Sequence, residues 1–172
     1  MQSGIVAAVA ALLGLVVGRF WDGRIEARRW QRDQRMRVYE QLVRAYYASR
    51  EAYRTLALQE PGTPESDEAL ARALDLGVDF NQSVVAVWFH GSPAVAAAVH
   101  EVDMEVNKLA AVARMKRYTW DDWRVARSPA EHTAEHFIEV VRSELGLPDI
   151  AVMLCFPPHE PAERKASLRS RT

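Results

Sequence analysis

Proline and glycine residues interrupt this chain at the same places where the spacing of its apolar residues changes. Between these interruptions, apolar residues recur at alternating intervals of three and four, which is the spacing of one face of a helix. Because proline and glycine end helices, the pattern predicts an all-α chain. A length of 172 residues gives room for about one domain.

The later helices each have a recognisable start. A Ser or Thr before a proline is typical of a helix N-terminus, and such pairs predict helix starts at Thr63, Ser92 and Ser128. Glu131 completes a capping box with Ser128. Thr119 and Asp122 predict a separate short turn that holds two tryptophans. Residues 38–156 are therefore predicted to form an antiparallel bundle of three long helices and one shorter helix, joined by short loops.

The N-terminal residues predict a membrane anchor. The first 18 residues carry no charged side chain, and residues 5–17 are almost entirely Ile, Val, Ala and Leu. About 17 apolar residues are the minimum for a spanning helix, and Phe20 and Trp21 extend the stretch. We therefore expect a single transmembrane helix over residues 1–21. A cleaved signal peptide is the alternative, although residues 1–4 lack its usual basic start.

Positive charge follows the apolar stretch and predicts its orientation. The arginines are Arg19, Arg24, Arg28, Arg29, Arg32, Arg35 and Arg37. Arginine-rich segments stay on the cytoplasmic side, so we expect the N-terminus outside and the bundle in the cytoplasm, in the inner membrane of a bacterium. Residues 22–37 are predicted to be a basic juxtamembrane stalk. Their arginines are suited either to fix topology or to contact anionic lipid headgroups.

Small residues predict self-association of the anchor. They recur on one helix face at Gly4, Ala7, Ala11, Gly14 and Gly18. Such a face lets two membrane helices approach closely, which makes a homodimer a hypothesis, although an alanine-rich segment also produces a stripe by chance. The same spacing continues to Tyr39 and Leu56, so a longer parallel coiled coil between two copies is a further hypothesis.

The C-terminal residues and the charge distribution add two expectations. Residues 150–156 are continuously apolar, and periodicity does not decide between strand and helix. Residues 157–172 are expected to be disordered. Residues 38–156 contain 18 acidic and 11 basic residues, a net charge of −7, and the whole chain carries −1. Without an overall basic field, we expect no nucleic-acid binding.

One short motif suggests metal chemistry. His132, Glu135 and His136 match the His-x-x-Glu-His pattern, in which two histidines one turn apart bind zinc and the glutamate acts as general base. A zinc hydrolase needs a third ligand; Glu139 is close in register, but no typical downstream glutamate follows. Phosphate-loop and dinucleotide-binding motifs are absent from the sequence. We expect no cofactor, no resident metal and no enzymatic activity, with a membrane-tethered zinc hydrolase as the alternative.

A pair of tryptophans suggests a protein-docking site. Trp120 and Trp123 flank two acidic residues, Asp121 and Asp122. The group is suited either to dock a partner or to form a hydrophobic hinge between helices, and tryptophan is usually well buried.

Several loose motifs point to a family. They are Trp30, Arg35, Tyr39 and Leu42 after the predicted anchor, Phe137-Ile138, and Arg142-Ser-Glu144-Leu145-Gly146. With this arrangement the chain resembles uncharacterised membrane-anchored helical proteins of high-GC actinobacteria. The resemblance implies a helical fold and a membrane location, and it implies no activity. We therefore expect a non-enzymatic interaction or scaffold module whose partners are the lipid bilayer and an unidentified protein.

Overall fold

Four helices make up the described part of the protein. The computed structural model describes residues 2–148 and Ile150; within the first helix it describes side chains from Glu26 onward, apart from Ala27 and Arg28. The helices are α1 (Gln2–Leu58), α2 (Pro64–His90), α3 (Pro93–Val112) and α4 (Trp120–Glu144). These residues contain no β-strand, so the all-α prediction is confirmed.

Helix α1 is a single uninterrupted helix of 57 residues. At 1.5 Å per residue it is about 85 Å long. No helix within the described residues is long and apolar enough to cross a membrane. The side chains of the predicted anchor, residues 1–21, and of its small-residue stripe lie outside the described set.

The predicted caps at Thr63, Ser92 and Thr119 are confirmed. Each side-chain hydroxyl accepts a hydrogen bond from the backbone N–H three residues later, and Pro64 and Pro93 open α2 and α3. A hydroxyl at this position satisfies one of the free N–H groups at a helix start. These local signals explain why the boundaries of α2 and α3 could be predicted.

The predicted helix start at Ser128 is wrong. Helix α4 continues from Trp120 to Glu144 with Pro129 inside it. A proline inside a helix removes one backbone hydrogen bond and usually disfavours it. Here the buried face continues without a break on both sides of Pro129, from Trp123 through Ala130 to Val141. Burial of this face outweighs the local cost, so the separate short turn and the capping box are absent.

The hydrophobic core lies among all four helices. In α1 and α3, the residues that recur at alternating intervals of three and four are buried: Tyr39, Leu42, Tyr46, Ser49, Tyr53 and Leu56, then Val95, Val99, Val102, Val106, Leu109 and Ala113. Tyr46 donates a hydrogen bond to the Ala130 carbonyl, whereas Tyr39 packs edge-on against Phe137. Residue numbers rise along α4 as they fall along α1, so these two helices run in opposite directions.

The chain turns sharply after α4. Gly146 has a φ of +65°, a conformation that glycine adopts without strain. The Leu147 N–H then donates to the Arg142 carbonyl, which closes the helix end. Apart from Ile150, the predicted apolar segment 150–156 and the predicted disordered tail 157–172 lie outside the described residues.

Candidate functional site

The N-terminal part of α1 extends beyond the bundle. We call residues 2–31 the arm. Its described side chains at Glu26, Arg29, Trp30 and Gln31 are exposed, and Val38 is the first buried residue of α1 among those described. Any movement of the arm is therefore transmitted to the rest of the protein at the place where the arm meets the bundle.

A cluster of polar contacts fixes α1 at this place, which we call the junction. The Glu144 carboxylate receives hydrogen bonds from Tyr39 Oη at 2.9 Å, from Arg35 at 3.1 Å and from the Ser92 backbone N–H at 3.3 Å. Arg32 donates a further hydrogen bond of 2.9 Å to the Leu145 carbonyl. One carboxylate thus connects α1, the N-terminus of α3 and the C-terminus of α4.

The surroundings of Glu144 favour its ionised form. Burial alone would raise the pKa of Glu144, but the hydrogen bonds from Ser92 and Tyr39, together with the positive charge of Arg35, hold that pKa below its usual value. Burial and the hydrogen bond to Glu144 raise the pKa of Tyr39. The carboxylate therefore stays charged and the phenol stays protonated near neutral pH, which preserves the junction.

The structure divides the predicted basic stalk. Arg35 contacts Glu144 of α4, and Arg32, although exposed, contacts Leu145 directly after α4. Arg29 and Arg37 are exposed as well. The side chains of Arg19, Arg24 and Arg28 lie outside the described residues. Glu144 was missed as a site residue, because its partners are more than 50 residues away in sequence and no local pattern signals them.

A second charged cluster lies between α1 and α4. Glu131 accepts a hydrogen bond of 2.9 Å from Arg50 and lies 3.2 Å from Arg127 Nε. The Glu131 side chain is only 3% exposed. The guanidinium groups of Arg54 and Arg127 lie 5.6 and 5.5 Å from the ring centre of Trp120. This network fixes α4 against α1.

The two predicted docking tryptophans have different environments. Trp123 is fully buried, with the ring of Tyr118 edge-on at 6.0 Å. Trp120 is 46% exposed and lies between two arginines. The Asp122 backbone N–H donates to the hydroxyl of Thr119, which caps the start of α4, and Asp121 lies 3.5 Å from Arg124 on the surface. The four residues therefore do not present one continuous docking surface.

The predicted zinc-binding residues lie on the outer part of α4. His132 Nδ1 is 2.8 Å from the Ser128 carbonyl oxygen, and His136 Nδ1 is 3.9 Å from Glu139. No group of three or more His, Cys, Asp or Glu side chains is placed to hold a metal ion in the part of the chain that the structure describes. Among the described side chains of residues 26–148, this pair therefore has no third ligand.

Two surface grooves complete the description. One, of about 430 Å³, lies on α4 beside His136 and Ile150, and one of about 410 Å³ lies between α1 and α2 beside Arg44 and Asp79. Both are open to solvent. Water-excluded surroundings strengthen the electrostatic interactions used in catalysis, and these grooves do not provide them.

Comparisons with known proteins add no relative. No family model matches the chain, and no curated protein or solved structure is significantly similar to it. The resemblance to membrane-anchored actinobacterial proteins therefore stays a prediction.

Proposed function

We propose that the protein is a single-pass, membrane-anchored scaffold that presents an antiparallel helical bundle to a protein partner on the cytoplasmic side of a bacterial inner membrane. The observation that carries this proposal is the continuity of α1. One helix runs from Gln2 into the core of the bundle, and the junction clamps it there.

The arm is suited to act as a spacer. From Gly18, the last residue of the uncharged stretch, to Arg35 in the junction there are 17 residues. An unbroken helix of this length spans about 25 Å. The bundle would therefore be held clear of the lipid headgroups, while the arginines nearest the apolar stretch would lie among them.

The bundle itself favours binding over catalysis. Its buried charged residues, Glu131 and Arg127, are paired with each other and Arg50. Large apolar side chains remain on its outside, including Trp88, Phe89 and Val125. Exposed apolar groups that form a contiguous patch are typical of protein-interaction surfaces.

Vesicle flotation tests the anchor. The full-length protein, mixed with vesicles containing anionic phospholipid, is expected to float with them even in 1 M NaCl, because salt screens headgroup contacts but not apolar insertion. Replacing Leu12 and Val16 by Asp should abolish flotation, since charge is costly inside the bilayer. The matched control replaces Gln31 and Gln34 by Asp and should float. Release of the unaltered protein by 1 M NaCl would contradict the proposal.

Cysteine labelling tests the orientation. Thr172→Cys is combined with Cys155→Ser, so that the C-terminal thiol is the only one in the chain. In intact cells, a membrane-impermeant maleimide is expected to leave this thiol unlabelled until lysis. Labelling before lysis would place the bundle outside the cytoplasm.

A further inference from the structure

The outer side of α2 carries a row of exposed apolar side chains. Leu74 is 48% exposed, Val78 55%, Val85 43% and Trp88 47%. The side of α2 that faces the core is formed by other residues, including Ala73, Phe80 and Val87, which are all buried. Helix α2 therefore has two apolar faces, and the described helices of its own chain cover only one.

The uncovered face has the spacing of a coiled coil. Its members alternate at intervals of four and three; we call them the α2 seam: Ala71, Leu74, Val78, Asn81, Val85 and Trp88. In heptad terms Val78 and Val85 occupy a positions, and Leu74, Asn81 and Trp88 occupy d positions. Two of the three a positions are valine and one of the three d positions is leucine, and these residues at these positions favour parallel two-stranded coiled coils.

The positions beside the seam permit two copies to pair. These flanking e and g positions are Leu70, Asp75, Gly77, Gln82, Val84 and Phe89, of which Val84 is buried in the core of its own bundle. Only Asp75 is charged, and in a parallel pair it lies opposite Leu70 of the other helix. Phe89, which is 80% exposed, adds apolar surface at one end. In many coiled coils, like charges at these positions prevent a helix from pairing with its own copy. No two like charges face each other in the proposed pair.

We propose that the α2 seam binds the α2 seam of a second copy of this chain in a parallel, two-stranded arrangement. The parallel direction rests on the proposed membrane anchor, because two chains anchored in one membrane share the same orientation. The seam is about 26 Å long from Ala71 to Trp88. So short a contact is smaller than most stable interfaces, and tethering in a membrane compensates by raising the effective concentration.

Disulfide crosslinking tests this pairing. The full-length protein carrying Cys155→Ser and a single cysteine is incorporated into phospholipid vesicles and oxidised. Val78→Cys and Val85→Cys should each give a covalent dimer at least about ten times faster than Asp79→Cys or Arg72→Cys, which are exposed but off the seam. Adding Val85→Glu to Val78→Cys should reduce crosslinking to the control rate.

The pattern of crosslinks also tests the direction of pairing. In a parallel pair, residue 78 lies beside residue 78 of the other copy, and residue 85 beside residue 85. In an antiparallel pair an a position lies opposite a d position, so Val78→Cys would instead crosslink efficiently to Asn81→Cys, and Val85→Cys to Leu74→Cys, when the two variants are mixed. Equal rates on and off the seam, or crosslinking in cells to another protein instead of a second copy, would overturn the proposal.

The flotation assay distinguishes a failure of this inference from a failure of the proposed function. Protein that floats with vesicles but does not crosslink through the seam would leave the anchor in place and refute the pairing. Protein that crosslinks through Val78→Cys and Val85→Cys in solution, without floating with vesicles, would establish the pairing and refute the anchor.

Discussion

A single carboxylate, that of Glu131, is the shared counter-ion of two guanidinium groups between α1 and α4. Arg50 and Arg127 both approach it, and Arg127 is itself almost fully buried. Buried ion pairs offset the cost of removing their charges from water only when the partners stay together. The local sequence favoured a capping role for Glu131 because Ser128-Pro129 precedes it, and nothing nearby in sequence indicates Arg50.

Removing the Glu131 carboxylate is expected to destabilise the bundle strongly. Glu131→Ala should lower the free energy of unfolding by about 3–5 kcal/mol, because two arginines are left close together without a counter-ion. Urea denaturation followed by circular dichroism, on full-length protein in detergent, measures the change. Glu139→Ala, on the exposed side of the same helix, is the control and should change stability by less than about 0.5 kcal/mol. Equal losses would refute the structural role assigned to Glu131.

Between elements, the junction should make stability depend on pH. The pKa of Glu144 is lower in the folded protein than in the unfolded chain. The ionised carboxylate therefore contributes its full stabilisation above the unfolded pKa of about 4.3, and this is lost as pH falls through the folded pKa. The pKa of Tyr39 is raised, so its stabilisation is present below about pH 10 and is lost as pH rises through the folded value.

Substitution of Glu144 tests the predicted loss of stability at low pH. Between about pH 5 and pH 3, the free energy of unfolding of the unaltered protein should fall more steeply than that of Glu144→Gln. Glu40→Gln, at an exposed position on α1, is the matched control and should retain the steep dependence. Parallel curves for the unaltered protein and Glu144→Gln would show that the junction carboxylate does not couple folding to protonation.

At the level of helices, the sequence predicted the features that depend on residues close to one another along the chain. The caps at Thr63 and Ser92 and the core faces of α1 and α3 follow from local spacing. The continuation of α4 through Pro129 did not, because it depends on packing of both halves against the bundle. The α2 seam was missed for a related reason: α2 has two apolar faces, and only its neighbours decide which face is buried.

In the whole molecule, the change from basic to acidic net charge falls where the arm meets the bundle. The first 37 residues carry a net charge of +4, whereas residues 38–156 carry −7. The junction lies at this boundary, so an acidic bundle begins where the basic arm ends. If the chain is anchored in a membrane as proposed, repulsion between the acidic bundle and anionic lipid favours an extended arm over one that folds back.

If the arm is a rigid spacer, shortening it should move the bundle by a calculable distance. Deleting residues 22–28 removes seven residues, about two helical turns or 10 Å, and rotates the bundle by only about 20°. The deleted segment contains two acidic and two basic residues, so the net charge of the arm is unchanged. The protein should fold normally, because none of the residues that form the junction or the core is removed.

Energy transfer from a labelled cysteine to lipid-headgroup dyes measures the movement. His90→Cys reports on the end of the bundle next to the junction, and Lys116→Cys reports on the opposite end, each in a Cys155→Ser background. Both labels should come about 10 Å closer to the membrane after the deletion, and their difference in height should stay the same. Unchanged distances would mean that the arm bends freely, and movement of one label alone would mean that the bundle tilts instead of being carried by α1.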